Sequence, residues 1–169
     1  NYSIFCWNKY RKKERKVKIF KILCFLFFLF MPLFLKGEVI NGGFEKWENG
    51  MPDGWSSTDT PAIKKGDNPF DGEKCVLFAL TKKHASGNII SDVVKVKKNM
   101  IYELKFYVKK DGKCAIIVYI QELNNGKYKD RVLFQQWKKF AKWQEVQFRF
   151  LPLNDTEKFK IKFAVYHPG

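Results

Sequence analysis

The chain has 169 residues, of which 46% are hydrophobic and 17% aromatic, enough for one domain with a packed core, which excludes a disordered polymer. A formal net charge of +15 points toward nucleic acid, but residues 1–37 hold nine of the 32 Lys and Arg and one of the 17 acids, so 23 basic and 16 acidic groups remain, a net of +7. That remainder is spread as lysines alternating along predicted strands, the pattern of a solvated sheet face rather than of a phosphate-binding groove.

The N-terminal segment is of a different kind. Arg11, Lys12, Lys13, Arg15, Lys16, Lys18 and Lys21 lead into the apolar run Ile22 to Leu35. That run is shorter than the roughly 20 residues a spanning helix needs, and Pro32 lies near its end. Residues 1–37 are therefore read as a hydrophobic signal helix cleaved near Gly37, with an uncleaved membrane anchor as the alternative. Export follows, to a secreted or cell-envelope location. Of four cysteines only Cys75 and Cys114 lie beyond the signal; a disulfide between them and two buried thiols are both open readings.

From Glu38 onward the dominant period is two, the spacing of strands with one buried face. Tyr102, Leu104, Phe106 and Val108 alternate with Glu103, Lys105, Tyr107 and Lys109. Val146, Phe148 and Phe150 follow the same rule, as do Phe159, Ile161, Phe163 and Val165 around Lys160, Lys162 and Ala164. Further strands are predicted at Cys75 to Leu80, Ile89 to Val96 and Cys114 to Glu122. Turn signals separate them, among them Asp71-Gly72, Asp111-Gly112 and Asn124-Asn125-Gly126. With no amphipathic helix of ten or more residues, the fold class is all-β, an antiparallel sandwich or barrel occupying residues 38–169.

The stretch Val39-Ile40-Asn41-Gly42-Gly43-Phe44-Glu45, followed by Gly50-Met51-Pro52-Asp53-Gly54-Trp55, resembles the opening of CenC-type carbohydrate-binding modules, which are galactose-binding-like jelly rolls. Ile90 to Val96 with Met100 to Lys109, and Trp143 to Phe150, resemble later strands of the same family in the same order. The family pattern closes with a strand carrying Asp-Asp/Asn-Val, which would fall beyond Tyr166-His167-Pro168-Gly169, so the resemblance implies a sandwich cut before its last strand. Ser91-Asp92 stands where the family often has Gln.

That resemblance implies glycan binding without catalysis and a structural Ca²⁺ held by Glu45, loop carbonyls near Lys65 to Asp71, and Asp71 itself. Glu45 as an acceptor for a turn is the competing reading. Sugar recognition needs flat aromatic faces and polar groups for hydroxyls. Trp55 and Trp143 occupy positions that the family uses structurally. Tyr107, Tyr119 and Gln121 lie on the polar side of their strands and are expected to pave one shallow groove. Trp47, Tyr128 and Trp137, in or beside predicted loops, complete the candidate ligand-binding set. No paired-carboxylate motif, G-x-S-x-G, H-E-x-x-H or P-loop is present. The leading expectation is a monomeric module that binds a polysaccharide or oligosaccharide, as part of a larger glycoside hydrolase or surface protein. The alternative is a structural or adhesive envelope sandwich. Binding of nucleic acid or another anionic polymer through the residual charge would be nonspecific.

Overall fold

The structure, a computed structural model, describes the backbone of residues 2–6 together with residues 39–97, 99–112 and 114–167. Thirteen strands are described: β1 (Tyr2–Cys6), β2 (Trp47–Glu48), β3 (Met51–Pro52), β4 (Trp55–Ser56), β5 (Ile63–Gly66), β6 (Cys75–Ala79), β7 (Ser86–Ser91), β8 (Val94–Lys95), β9 (Tyr102–Asp111), β10 (Ala115–Asn124), β11 (Lys127–Gln136), β12 (Phe140–Phe150) and β13 (Lys158–Tyr166). They form a five-stranded sheet in the order β12-β9-β1-β6-β5, a six-stranded sheet in the order β11-β10-β13-β7-β4 with β8 beside β13, and the small ribbon β2-β3. All the pairings are antiparallel.

The core follows from the alternation. Leu104, Phe106 and Val108 of β9 and Ile116, Val118 and Ile120 of β10 are all buried, as are Phe159, Ile161, Phe163 and Val165 of β13. Aromatic rings meet edge to face across the layer, Phe106 with Phe163 at 5.1 Å and Phe150 with Phe159 at 5.5 Å, an arrangement that adds roughly 1 kcal/mol per pair beyond burial. Asn125 and Gly126 both take positive φ, 49° and 75°, giving the two-residue β10–β11 hairpin that the Asn-Gly signal predicts.

The predicted strand over Ile89 to Val96 is broken in two, because the chain leaves the ladder at Asp92-Val93 between β7 and β8. β11 was not legible as a strand, being an edge strand whose first four residues are all exposed. The connection at Asp111-Gly112 is not a hairpin: β9 belongs to one sheet and β10 to the other. Lys110, fully buried, holds this crossing by donating to the carbonyls of Cys114 and, at 2.6 Å, Trp137. Burial pushes its ammonium pKa down. Cys75 and Cys114 are both buried and lie in separate clusters, Cys75 with Tyr107 beneath the outer face of the five-stranded sheet and Cys114 in the main core.

Of the expected signal-helix segment, residues 1–37, residues 7–37 lie outside the described residues. Tyr2–Cys6, inside the segment read as a signal, form a central strand: β1 pairs with β6 (Ile4 opposite Leu77) and with β9 (Ile4 opposite Lys109). Ile4→Pro removes an N–H from a strand paired on both sides. It is expected to lower stability by about 1–3 kcal/mol and to speed amide exchange across residues 75–79 and 102–111, read by hydrogen–deuterium exchange.

Glu122 is the buried carboxylate of the six-stranded sheet. It receives both arms of Arg131 at 2.9 Å and the Leu153 N–H at 2.8 Å, while Arg131 also bonds the Leu151 carbonyl. Burial works to raise its pKa, but these donors outweigh it and hold the group below the ordinary carboxylate value. Its contribution to stability is therefore complete above the unfolded value of about 4.3 and is lost as pH falls through the lower folded value. Glu122→Gln is expected to cost about 3 kcal/mol at neutral pH. Denaturant titrations from neutral to strongly acidic pH should show a shallower acid loss in the variant than in the parent.

Candidate functional site

The Asn41–Trp55 segment is a self-braced loop. Asn41, with φ 48°, donates through Nδ2 to the carbonyls of Lys46 (2.8 Å) and Asp53 (3.0 Å) and accepts the Lys46 N–H at 3.1 Å. This places Phe44 and Trp55 in the core, 5.0 Å apart. Trp47, a candidate sugar contact, packs half-buried against that core and spends its indole N–H on the Phe44 carbonyl at 2.6 Å. Its ring is thereby a lid on the core.

Glu45 reaches the next loop. Its two carboxylate oxygens accept the Glu73 N–H at 3.1 and 3.2 Å, and one of them accepts the Lys74 N–H at 3.2 Å. A side chain at Gly72, where φ is +82°, would collide with the same carboxylate. Lys74 in turn pairs with Asp67 at 2.9 Å. The loop so pinned lays Phe70 flat on Tyr107, 3.8 Å between centroids, with Trp143 edge-on to Phe70 at 6.3 Å. Beneath Phe70, Tyr107 is buried and donates to Glu145 at 2.6 Å; that bond, with burial, raises its pKa. The outer face of the five-stranded sheet is closed here by the chain itself.

These residues do not fit the calcium site that the resemblance implies. A hard cation takes six to eight oxygens, whereas the Glu45 oxygens are matched to N–H donors and Asp67 to an ammonium. Among the described residues no three His, Cys, Asp or Glu converge as metal ligands.

The outer face of the six-stranded sheet is different. Because Val118, Ile120 and Glu122 point inward, β10 presents Tyr119 and Gln121 outward. Tyr119 stands opposite Val132 of β11 and Lys162 of β13; Gln121 stands opposite Asp130 and Lys160; Leu123 stands opposite Tyr128 and Lys158. Gln121 Nε2 donates to Asp130 at 2.8 Å, and Lys162 pairs with Asp130 at 3.2 Å. The ammonium of Lys162 lies 5.0 Å from the Tyr119 ring centroid and that of Lys160 lies 5.3 Å from that of Tyr128. Burial, helped by a hydrogen bond with Tyr166, pushes the Tyr119 phenol up to about 12, so it is neutral at any physiological pH. On the far side Asn88 of β7, in the row of Ala164 and Ile117, bonds Thr58 at 2.8 Å. The result is an open surface of tyrosine rings, amides, one carboxylate and lysines.

Residues 37–168 match a family profile described as a carbohydrate binding domain. The chain belongs to the carbohydrate binding domain family. Such modules are typically non-catalytic. Among solved structures, the domain is similar to TmCBM61 in complex with beta-1,4-galactotriose (TM-score 0.51, 18% identity, covering 69% of this chain and 80% of that one). It is also similar to the CBM22-1 xylan-binding domain from Paenibacillus barcinonensis Xyn10C (TM-score 0.50, 14% identity, covering 73% and 86%). At these identities the likeness establishes the fold, a jelly-roll β-sandwich. A search of curated proteins found no match.

Of the carbohydrate-binding domain's expected contacts, Tyr119, Gln121 and Tyr128 share the open face, with Tyr128 on β11 rather than in a loop. Tyr107 does not join them: the crossing at Gly112 puts it on the other sheet, under Phe70. Trp137, 54% exposed, sits in the β11–β12 turn. Tyr166, Asp130, Lys160, Lys162 and Asn88 were missed. The alternation along β13 already turned its lysines outward, but only the register with β10 sets them beside Tyr119 and Gln121. Glu45→Ala is expected to speed exchange of the Glu73 and Lys74 amides about tenfold, corresponding to about 1.4 kcal/mol for the lost bonds, measured by NMR hydrogen exchange.

Proposed function

We propose that the domain holds a polysaccharide or oligosaccharide, without changing it chemically, on the outer face of its six-stranded sheet around Tyr119, Gln121 and Tyr128. The observation that carries this reading is the contrast between the two outer faces. On one, Phe70 covers Tyr107; the other leaves Tyr128 and Tyr166 exposed and Tyr119 half-buried beside amides and a carboxylate. A tyrosine ring covers the C–H side of a pyranose, while Gln121 and Asp130 supply a donor and acceptors for hydroxyls. A dimple lined by Val96, Lys97, Leu151 and Asn154 among others has room for about one water molecule. An open platform suits an internal stretch of a glycan chain better than a single enclosed sugar.

Galactotriose and xylan, the ligands named for the two similar structures, fall in the class of ligand proposed. In this proposal the basic and apolar segment through Leu35 directs a monomeric domain outside the cytoplasm, within a larger glycoside hydrolase or surface protein; cleavage near Gly37 would release Tyr2–Cys6 and leave the facing edges of β6 and β9 unpaired, whereas an uncut chain keeps that strand.

Isothermal titration against soluble poly- and oligosaccharides tests the reading. Tyr119→Ala and Tyr128→Ala are each expected to weaken binding about tenfold, the equivalent of about 1.4 kcal/mol for a lost ring contact. Phe70→Ala, on the sealed face, is expected to bind as the parent does. Absence of heat above dilution for every glycan overturns the proposal in favour of an adhesive sandwich.

A further inference from the structure

β13 is an interior strand, with β10 on one side and β7 and β8 on the other. Lys158, Lys160 and Lys162 follow one another on its outer side, each step about 6.6–6.8 Å. Lysines so placed are ordinarily balanced by acids directly across the ladder, and here they are not. Lys158 faces Leu123 on one side and another lysine, Lys95, on the other. Lys160 faces Gln121, and Lys162 faces Tyr119 and Ile90. Like charges directly opposite destabilise a sheet, so the Lys95–Lys158 pair works against the fold. Among the described residues the row's one salt bridge is to Asp130, diagonal to Lys162. Among the described residues Lys95, Lys158 and Lys160 have no salt-bridge partner.

Two of these ammonium groups are held at the tyrosines that form the glycan platform, Lys162 at Tyr119 and Lys160 at Tyr128. A neutral sugar stacking on either ring would have to displace a favourable cation–ring contact and offer the ammonium only neutral hydroxyl oxygens in return. A sugar carrying a carboxylate or sulfate can take the ring and give the ammonium a stronger partner in the same step.

We infer that the glycan is polyanionic, a chain with a carboxylate or sulfate recurring along it, read by the Lys95–Lys158–Lys160–Lys162 row beside Tyr119 and Tyr128. This rests on the glycan-binding reading of the same face and narrows its ligand class.

The experiment is affinity electrophoresis and titration calorimetry of the full chain against five probes: neutral xylan, neutral galactan, polygalacturonate, chondroitin sulfate, and single-stranded DNA. Each is run at about 50 and about 200 mM salt, a range over which several ion contacts change affinity strongly. The expected result is at least about tenfold tighter binding of one or both acidic glycans than of the neutral ones, lost in the double variant Lys160→Gln/Lys162→Gln and in Tyr119→Ala. Lys64→Gln/Lys65→Gln, a charge-matched double change on the other sheet, is expected to have no effect. Preference for polygalacturonate identifies a carboxylate, and preference for chondroitin sulfate that is lost on the chemically desulfated chain identifies a sulfate.

Neutral glycans bound as tightly as acidic ones, with loss in Tyr119→Ala, would overturn the inference and leave glycan binding standing. DNA retained as strongly as the acidic glycans, with no effect of Tyr119→Ala, would overturn both, leaving a plain cationic surface. No binding to any probe also overturns both.

Discussion

β13 must bury Phe159, Ile161, Phe163 and Val165, because they fill the middle of the space between the two sheets. In a strand successive side chains point to opposite faces, so the same four burials oblige Lys158, Lys160 and Lys162 to stand on the outside. The chemistry of the open face is the reverse side of the core's packing. Nothing on that face can slip by one residue without carrying a lysine into the interior, which makes the register of β13 against β10 the best-defined relation in the domain. Tyr119 and Gln121 inherit their positions from it.

The second determinant is the carboxylate of Glu45. It sits in the opening motif yet acts at a distance in sequence, fixing the turn around Gly72 and through it the placement of Phe70. A residue that marks the family thereby decides which side of the sandwich is available. Asn41 acts similarly within the motif, tying Lys46 and Asp53 so that Trp55 reaches the core. The motif that resembles a carbohydrate-binding module is a scaffold, and the surface it leaves open lies on strands read only by their alternation.

Much of this was legible in the chain. The alternation in β9, β12 and β13 follows from burial on one face and needs no partner strand to be seen. β11 was not legible, since Lys127 to Asp130 carry no apolar period and lie at the edge of the sheet. Sheet membership was not legible either: Asp111-Gly112 has the composition of a hairpin turn, and no local property of Tyr107 and Tyr119 shows that the chain changes sheets between them. The buried pair Glu122 and Arg131 was likewise hidden, because the two residues lie on different strands and their meeting depends on the β10–β11 register. Trp47 and Trp137 looked alike in sequence, each a tryptophan flanked by polar residues; one lies against the core and the other projects into solvent.

The Tyr2–Cys6 strand lies outside the span that matches the family and yet fills the place between β6 and β9. Residues 39–167 alone would leave two half-sheets whose facing edges expose unmatched amides and carbonyls. The ladder depends on backbone groups, so an equivalent strand from a second copy would restore the same hydrogen bonds. Intramolecular and exchanged arrangements then differ chiefly in the entropy of closing the connection over residues 7–38 and in the cost of association. Which chain supplies the strand is invisible to the ladder itself, whose requirement is a run of backbone donors and acceptors.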